Sequence, residues 1–395
     1  MPFFHYHLPG TPQLLSAMCS AWHSPLPADR FSAEAPSSVK NSSDPTYGDY
    51  FTAARHFLAA DGFATLVGAV SSRLGRSVLY EELHEIHITI VKHGAFYHPA
   101  LVTVHSSGSS LQFVLNTAVS KPGRQTMENE YPALEKLGKS GANAYVPTVY
   151  GWGRGETRDG RPVDMFLADW FDGFHEFHLS RNATSNRLQI CVWDDERGLF
   201  FLSAEEASDL YRQTAFILTA CYNPRTFEQI FPWHHAAGDF VVRLDTSGLH
   251  VRLITVRQYA SLFRDIEIAE NESAQRKHIL LGLLFFLLNL SIRMRIDRLD
   301  GTGNLVWGGE ETVSAVWEGF FSGLQHSFFP WPFREDMAST VSTFLAAMPV
   351  SEVFDLARAA AGGFHPQTPE RSLIDRHLLD HVAALWAFIS QGRPA

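Results

Sequence analysis

The stretch Ile279 to Leu290 is apolar except for Gly282 and Asn289, and it sits inside a longer helical pattern from Ala274 to Arg298. A helix with apolar side chains all round has no solvent face, so other elements have to enclose it. The run is 12 residues long, short of the roughly 20 that cross a bilayer, and it predicts a buried helix with no membrane span. The chain supplies the wrapping. Glu310–Leu324, Met337–Ala347, Ser351–Ala361 and Pro369–Ser390 all show helical spacing of apolar residues, and Thr368 before Pro369 is a helix start. The C-terminal part of the chain is therefore expected to be a helical body built around one central helix.

The earlier part has a different period. Ile86–Val91, Ala100–Val104 and Leu111–Leu115 alternate as strands and are separated by tight turns, which predicts an antiparallel sheet. Tyr50–Leu74 suits one or two amphipathic helices, and a further helix carries Glu128, Glu130, Leu134 and Leu137. Gln189–Trp193 and Leu199–Leu202 read as a hairpin, and Ser203 with Glu206 caps a helix running to about Tyr222. The fold class is α+β. Residues 1–49, rich in Ser and Pro after residue 23, are expected to be an extension or linker, 50–168 a small sheet domain and 169–395 a helical domain. A chain of 395 residues is long enough for two such bodies.

Composition narrows the partners. A net charge of −10 and a pI near 6.0 disfavour a nucleic-acid backbone. The 3 cysteines are far apart without a C-x-x-C, and the N-terminus lacks a basic segment followed by an apolar one; both fit a cytoplasmic location.

The most site-like segment runs from Pro232 to Tyr259. It opens Pro232-Trp-His-His-Ala-Ala-Gly-Asp239, continues into Phe240-Val241-Val242, turns at Asp245–Gly248 and returns as a second β-rich run. Polar groups at the mouth of a rigid apolar hairpin are a plausible place for chemistry. This segment resembles the catalytic loop of the aminoglycoside phosphotransferase and choline kinase branch of the protein-kinase-like fold, whose H-G-D-x-H-x-x-N leads into a strand, a turn and a strand bearing a metal-binding Asp. Gly238-Asp239-Phe240-Val241-Val242 looks like the G-N-I-L-V end of that loop. The resemblance then puts Asp239 at the metal-ligand Asn, His234 at the catalytic Asp and Thr255 at the second-strand Asp. A shifted register lays Ala237-Gly238-Asp239 on H-G-D and makes Asp239 the catalytic acid, with only 16 residues left to Thr255; the first register is preferred.

The resemblance extends from about Ile86 to Tyr259 as an order of elements and implies a two-lobed kinase-like fold, a small antiparallel-sheet lobe plus a mainly helical large lobe. It puts Glu130 at the helix Glu that pairs with a strand Lys, and Asn116 where that Lys is expected. Lys121, in the following loop, is the nearest substitute. Asp164–Gly173, with Asp169 in it, resembles the strand and hinge that touch adenine. The implied cofactors are ATP and Mg²⁺, with Asp239 as metal ligand and Glu130, Lys121, Asp169 and Thr255 on the nucleotide.

Phosphoryl transfer needs cations on the phosphates, an acid near the attacking hydroxyl and carboxylates or amides on Mg²⁺. Here the strand Lys and the second metal-binding acid are replaced. The expectation is a degenerate kinase-like protein that binds a nucleotide, a small molecule or a protein partner without conventional phosphoryl transfer. The alternative is an atypical phosphotransferase or nucleotidyl transferase using Asp239 with His234 or His235 as base. A third class, a metal-dependent enzyme built on the His pair, has no identifiable third and fourth ligands. Adjacent His234 and His235 are expected to point opposite ways on an extended chain. Arg257, on the face of Thr255, is read as a solvated strand residue, with a phosphate or an acidic partner as the alternative. His175 with His178, His93 with His98 and His84 with His87 are read as structural.

Overall fold

The computed structural model describes residues 1–11, 13–27, 45–194, 196–236, 238–263 and 271–391. Most of the Ser-Pro-rich stretch expected to be a linker, residues 28–44, and Ala237 of the shifted register lie outside them. The chain is mixed α+β and divides into two compact units, Met1–Gly138 with Pro147–Asp172, and Lys139–Val146 with Gly173–Ala395.

The first unit holds β1 (Phe3–His7), α1 (Tyr47–Leu74), β2 (Leu83–Ile90), β3 (Ala100–Ser106), β4 (Ser109–Ala118), α2 (Lys121–Lys139), β5 (Val149–Glu156) and β6 (Pro162–Asp169). The six strands form one sheet in the order β1-β2-β3-β4-β6-β5. All neighbours are antiparallel except β1, which joins β2 in parallel. The expectation of an N-terminal extension is therefore corrected over Phe3–His7. These residues alternate with period two, and a sheet edge accepts any such segment whose backbone groups are free. One face of the sheet buries Ile86, Ile88, Ile90, Val102, Val104, Phe113 and Leu115 against Tyr50, Phe51, Ala54, Leu58 and Leu66 of α1. Helix α1 is two segments, interrupted at Ala60–Phe63 where Asp61, Gly62 and Phe63 have positive φ. It runs so close to β5 that a Cβ on Gly151 would lie 2.7 Å from the Thr65 side chain.

The second unit holds β7 (Glu176–Arg181), β8 (Leu188–Asp194), β9 (Gly198–Phe201), α3 (Ala204–Ala220), β10 (Glu228–Ile230), β11 (Phe240–Asp245), β12 (Gly248–Leu253), β13 (Tyr259–Ser261), α4 (Glu272–Met294), β14 (Ile296–Arg298), β15 (Leu305–Trp307), α5 (Glu311–Gln325), α6 (Met337–Ala346), α7 (Val350–Ala361) and α8 (Pro369–Ile389). Strands β7, β8 and β9 form an antiparallel sheet, and β11 pairs with β12 across the expected turn, with Asp245 opposite Gly248. The residues Lys139–Val146 join this unit because the Tyr145 carbonyl accepts from Leu253 N–H at 2.9 Å and its ring packs on Phe216 and Phe328.

Helix α4 is the expected central helix, with Leu283, Leu284, Leu287, Leu288 and Leu290 all buried. Among the described residues it is the helix that by itself is long and apolar enough to cross a membrane, and 72% of its most apolar window is buried inside the protein. A core helix of this kind meets the same length and composition test. Helices α3 and α5 approach backbone to backbone. A Cβ on Gly319 would lie 2.2 Å from the Arg212 carbonyl oxygen, and one on Gly323 would lie 2.6 Å from Thr219 Cβ. On α3, Gln213 turns its amide to the free edge of β12, donating to the Leu249 carbonyl at 2.6 Å and accepting from Val251 N–H at 3.1 Å. The hairpin is thus held to the helical body by a side chain that mimics a neighbouring strand.

Candidate functional site

The candidate site is built on the segment between β10 and β11. The chain passes Pro232 and Trp233, bends at His235, and turns at Gly238 with φ of +83°. That φ lies in the left-handed region, where glycine is the least strained residue. The turn aims Asp239 inward, where its carboxylate is 1% exposed. One oxygen accepts from the backbone N–H of His234 at 2.8 Å, and the two oxygens together receive the guanidinium of Arg257 as a fork. The backbone carbonyl of Asp239 also accepts from Ile254 N–H at 2.8 Å. Arg257 is therefore not a solvated strand residue: its acidic partner is Asp239, in its own chain.

The two imidazoles do not point opposite ways. Their rings stack at 5.2 Å with planes 15° apart. The segment is bent here, so the alternation of an extended strand does not apply. His235 is fully buried between Tyr211 of α3 and Phe177 of β7, and neither ring nitrogen has a hydrogen-bond partner among the described residues. Burial pushes its pKa down to about 3 from the usual 6.5. His234 is only partly enclosed and its Nδ1 is also unpartnered. Burial lowers its pKa too, with the charges of Asp297 and Asp239 opposing. Both rings are thus neutral near pH 7.

A second acid stands beside them. Asp297 on β14 is fully buried and accepts from Leu179 N–H at 2.7 Å and from Arg298 N–H at 2.7 Å. Its other close neighbour is His178, whose Nδ1 is 3.8 Å away. Burial pushes the Asp297 carboxyl up, but His178, His235, His234 and the Leu179 N–H outweigh it, and the net shift is downward. Asp297 escaped the sequence because the helical pattern was read on to Arg298. The helix ends at Met294, and Asp297 is on a three-residue strand paired with β15. His178 was visible only as half of a His175–His178 pair with no stated partner.

The other expected positions fall as follows. Thr255 is not on a strand, because β12 ends at Leu253; it lies in the connection to β13. Glu130 is buried on α2 and accepts from the Tyr97 hydroxyl at 2.7 Å. Lys121 is not in a loop: it is the first residue of the same helix. Nine residues of helix separate the two by about 13 Å along the axis and about half a turn around it, so Lys121 is on the opposite face of the helix from Glu130. Asp169, at the end of β6, accepts from Arg73 at 2.8 Å, the Tyr150 hydroxyl at 2.8 Å and Thr148 N–H at 3.1 Å. These three donors tie α1 and β5 to β6. His93 and His98 meet at 2.8 Å through their Nδ1 atoms.

The residues present do not fit a Mg²⁺ ion at Asp239. Such an ion takes oxygen ligands in a tight octahedron. Both Asp239 oxygens already hold a guanidinium, the position that the resemblance gives to a second acid is Thr255, and each Asp297 oxygen already accepts from a backbone N–H.

No family model matches the chain, and no curated protein matches it. Among solved structures the chain is similar to WaaP, in a structure of WaaP in complex with acyl carrier protein. The identity is 10%, the match covers 67% of this chain and 86% of that one, and the TM-score is 0.26. A likeness at that score carries no argument about the site, and it leaves the kinase-like character of Pro232–Tyr259 a resemblance.

Proposed function

We propose that this chain is a degenerate kinase-like protein that does not perform conventional Mg²⁺-dependent phosphoryl transfer and acts by binding a nucleotide, a small ligand or a protein partner. The observation that supports this reading is the Arg257–Asp239 pair. Phosphoryl transfer places metal-held positive charge at that carboxylate; here a fixed guanidinium supplies the charge from within the chain. Releasing the guanidinium would leave the Asp239 carboxylate, 1% exposed, without its charge partner, a cost of several kcal/mol. The fully buried His235 is also out of reach of a substrate hydroxyl, which weakens the reading in which it serves as a base.

The test is a thermal-shift titration with ATP, ADP and GTP, with and without Mg²⁺, beside an assay of ATP consumption, on wild type and Asp239→Asn. The expected result is no Mg²⁺-dependent rise in melting temperature and no turnover. A nucleotide shift that is indifferent to Mg²⁺ would support the ligand-binding form of the proposal. Mg²⁺-dependent turnover that disappears in Asp239→Asn would overturn it.

A further inference from the structure

We propose that the open face of the six-stranded sheet binds a divalent transition-metal ion through His5, Glu85 and His87. The three come from two strands far apart in sequence. In the parallel pairing of β1 with β2, His5 lies directly opposite His87, and Phe3 lies opposite Glu85. Period two on each strand then puts His5 and His7, and Glu85 and His87, on the same side of the sheet. This is the side away from the core: Ile86, between Glu85 and His87, and Ile88, after them, are buried, Glu85 is exposed, and His5 and His87 are partly exposed.

The atoms converge. One potential ligand atom from each of the three residues lies within 4.8 Å of the others. His87 Nε2 is 3.4 Å from a Glu85 carboxylate oxygen. Two ligands at about 2.0–2.1 Å from one ion in a tetrahedral arrangement stand about 3.4 Å apart, so this pair already has the spacing of a shared ion. The rings of His5 and His87 are stacked with centroids 4.6 Å apart, which keeps the third ligand on the same spot.

A supporting residue is also in place. His7 Nε2 is 3.1 Å from His87 Nδ1. When Nδ1–H donates to His7, the lone pair of His87 is left on Nε2, facing the carboxylate. Two lone-pair bearers face one another favourably only with a cation between them. Metal-bound imidazoles commonly have their second nitrogen held in this way.

The donor set selects the ion. Two imidazoles and one carboxylate suit Zn²⁺, Co²⁺, Ni²⁺ or Cu²⁺; Mg²⁺ and Ca²⁺ prefer oxygen alone. Three protein ligands leave a coordination position free, as in reactive centres and unlike closed structural ones. Beside the triad is an open depression of about 490 Å³ lined by His7, His87, His105, Thr89 and Thr103 among others. A water or small anion on the ion would sit there, with hydroxyl and imidazole groups around it. The ion would also clamp β1, which reaches the sheet only through β2.

The test uses the full chain, freed of metal with a chelator and titrated with Zn²⁺ by calorimetry and with Co²⁺ by visible absorption. The wild type is expected to bind one equivalent. His5→Gln, Glu85→Gln and His87→Gln should each weaken binding by at least about tenfold and alter the Co²⁺ spectrum. His7→Gln should weaken binding by about tenfold with the spectrum preserved, as for a positioning residue. His278→Gln, on the exposed side of α4, should change nothing. Because a variant on β1 can loosen the strand itself, protection of the wild type is measured too: Zn²⁺ should shield His5 and His87 from diethyl pyrocarbonate, read by mass spectrometry. A wild type that binds neither ion, unchanged affinity in both His5→Gln and His87→Gln, or modification indifferent to Zn²⁺ would overturn the proposal.

Discussion

The protein holds two groups of histidines that differ in one physical respect. In the second unit, His178 and His235 are buried near Asp297, with the partly enclosed His234 stacked on His235, and among the described residues the Nδ1 atoms of all three and Nε2 of His235 are buried without a hydrogen-bond partner. In the first unit, His5, His7, His87 and His105 are partly exposed on an open sheet face, where a His7 nitrogen meets His87 at 3.1 Å and the other His87 nitrogen is 3.4 Å from Glu85. Burial makes an imidazole neutral and inert to outside ligands, because the charged form has lost its water. Partial exposure leaves the lone pairs available. In the pair that looked most like chemistry in the sequence the fold buries His235 and partly encloses His234, while it gathers the scattered His5, His7 and His87 on one open face.

The largest effect expected from breaking this contrast is at Arg257. Arg257→Ala leaves the Asp239 carboxylate buried without its partner and should cost about 3–5 kcal/mol in denaturant unfolding. The double variant Arg257→Met with Asp239→Leu should recover much of that loss. If Arg257→Ala unfolds like wild type, the pair does not hold the loop.

The next effect is pH dependence. His235 and His381 are both buried and both held down at about 3, against 6.5 in the unfolded chain. Between those values the unfolded chain binds protons that the folded chain refuses, so stability is fully present above pH 6.5 and is lost as pH falls toward 3. The slope is up to about 1.4 kcal/mol per pH unit for each histidine. His235→Phe should remove about half of the combined slope; an unchanged slope in urea titrations at pH 4–6.5 would show that His235 is not the neutral buried group described.

The smallest effect belongs to the open face. Without metal, His105→Gln should move stability by less than about 0.5 kcal/mol, because the side chain is only partly buried and lies off the core. A larger loss in thermal melts would mean that this face is structural and would weaken the contrast with the second unit.

Much of the architecture was legible one element at a time. The period-two runs from Ile86 to Leu115 formed the antiparallel strands expected, and Ser203 and Thr368 cap helices as their side chains suggested. The hairpin at Asp245–Gly248 has the register its turn residues implied. These are short-range matters, decided by residues within a few positions of one another. The site was far less legible. Asp239 was picked out as a metal ligand, but its partner Arg257 is brought to it by the path of the chain between β12 and β13, which no spacing rule gives. Asp297 and His178 lie 119 positions apart and meet only because β14 runs beside β7. Lys121 and Glu130 failed as a pair because one helix carries both and puts them on opposite faces.

From the sequence alone came the α+β class, the enclosed helix α4 and the hairpin. The tertiary structure decided which charges neutralise each other, which histidines are sealed and which stay open, and that Phe3–His7 is a sheet strand. The reason is reach. Periodicity, caps and turns are set by steric and hydrogen-bonding rules acting over a few residues. Charge pairing, desolvation and ligand convergence depend on distances of a few ångströms between residues up to a hundred or so positions apart, and those distances exist only once the core has packed.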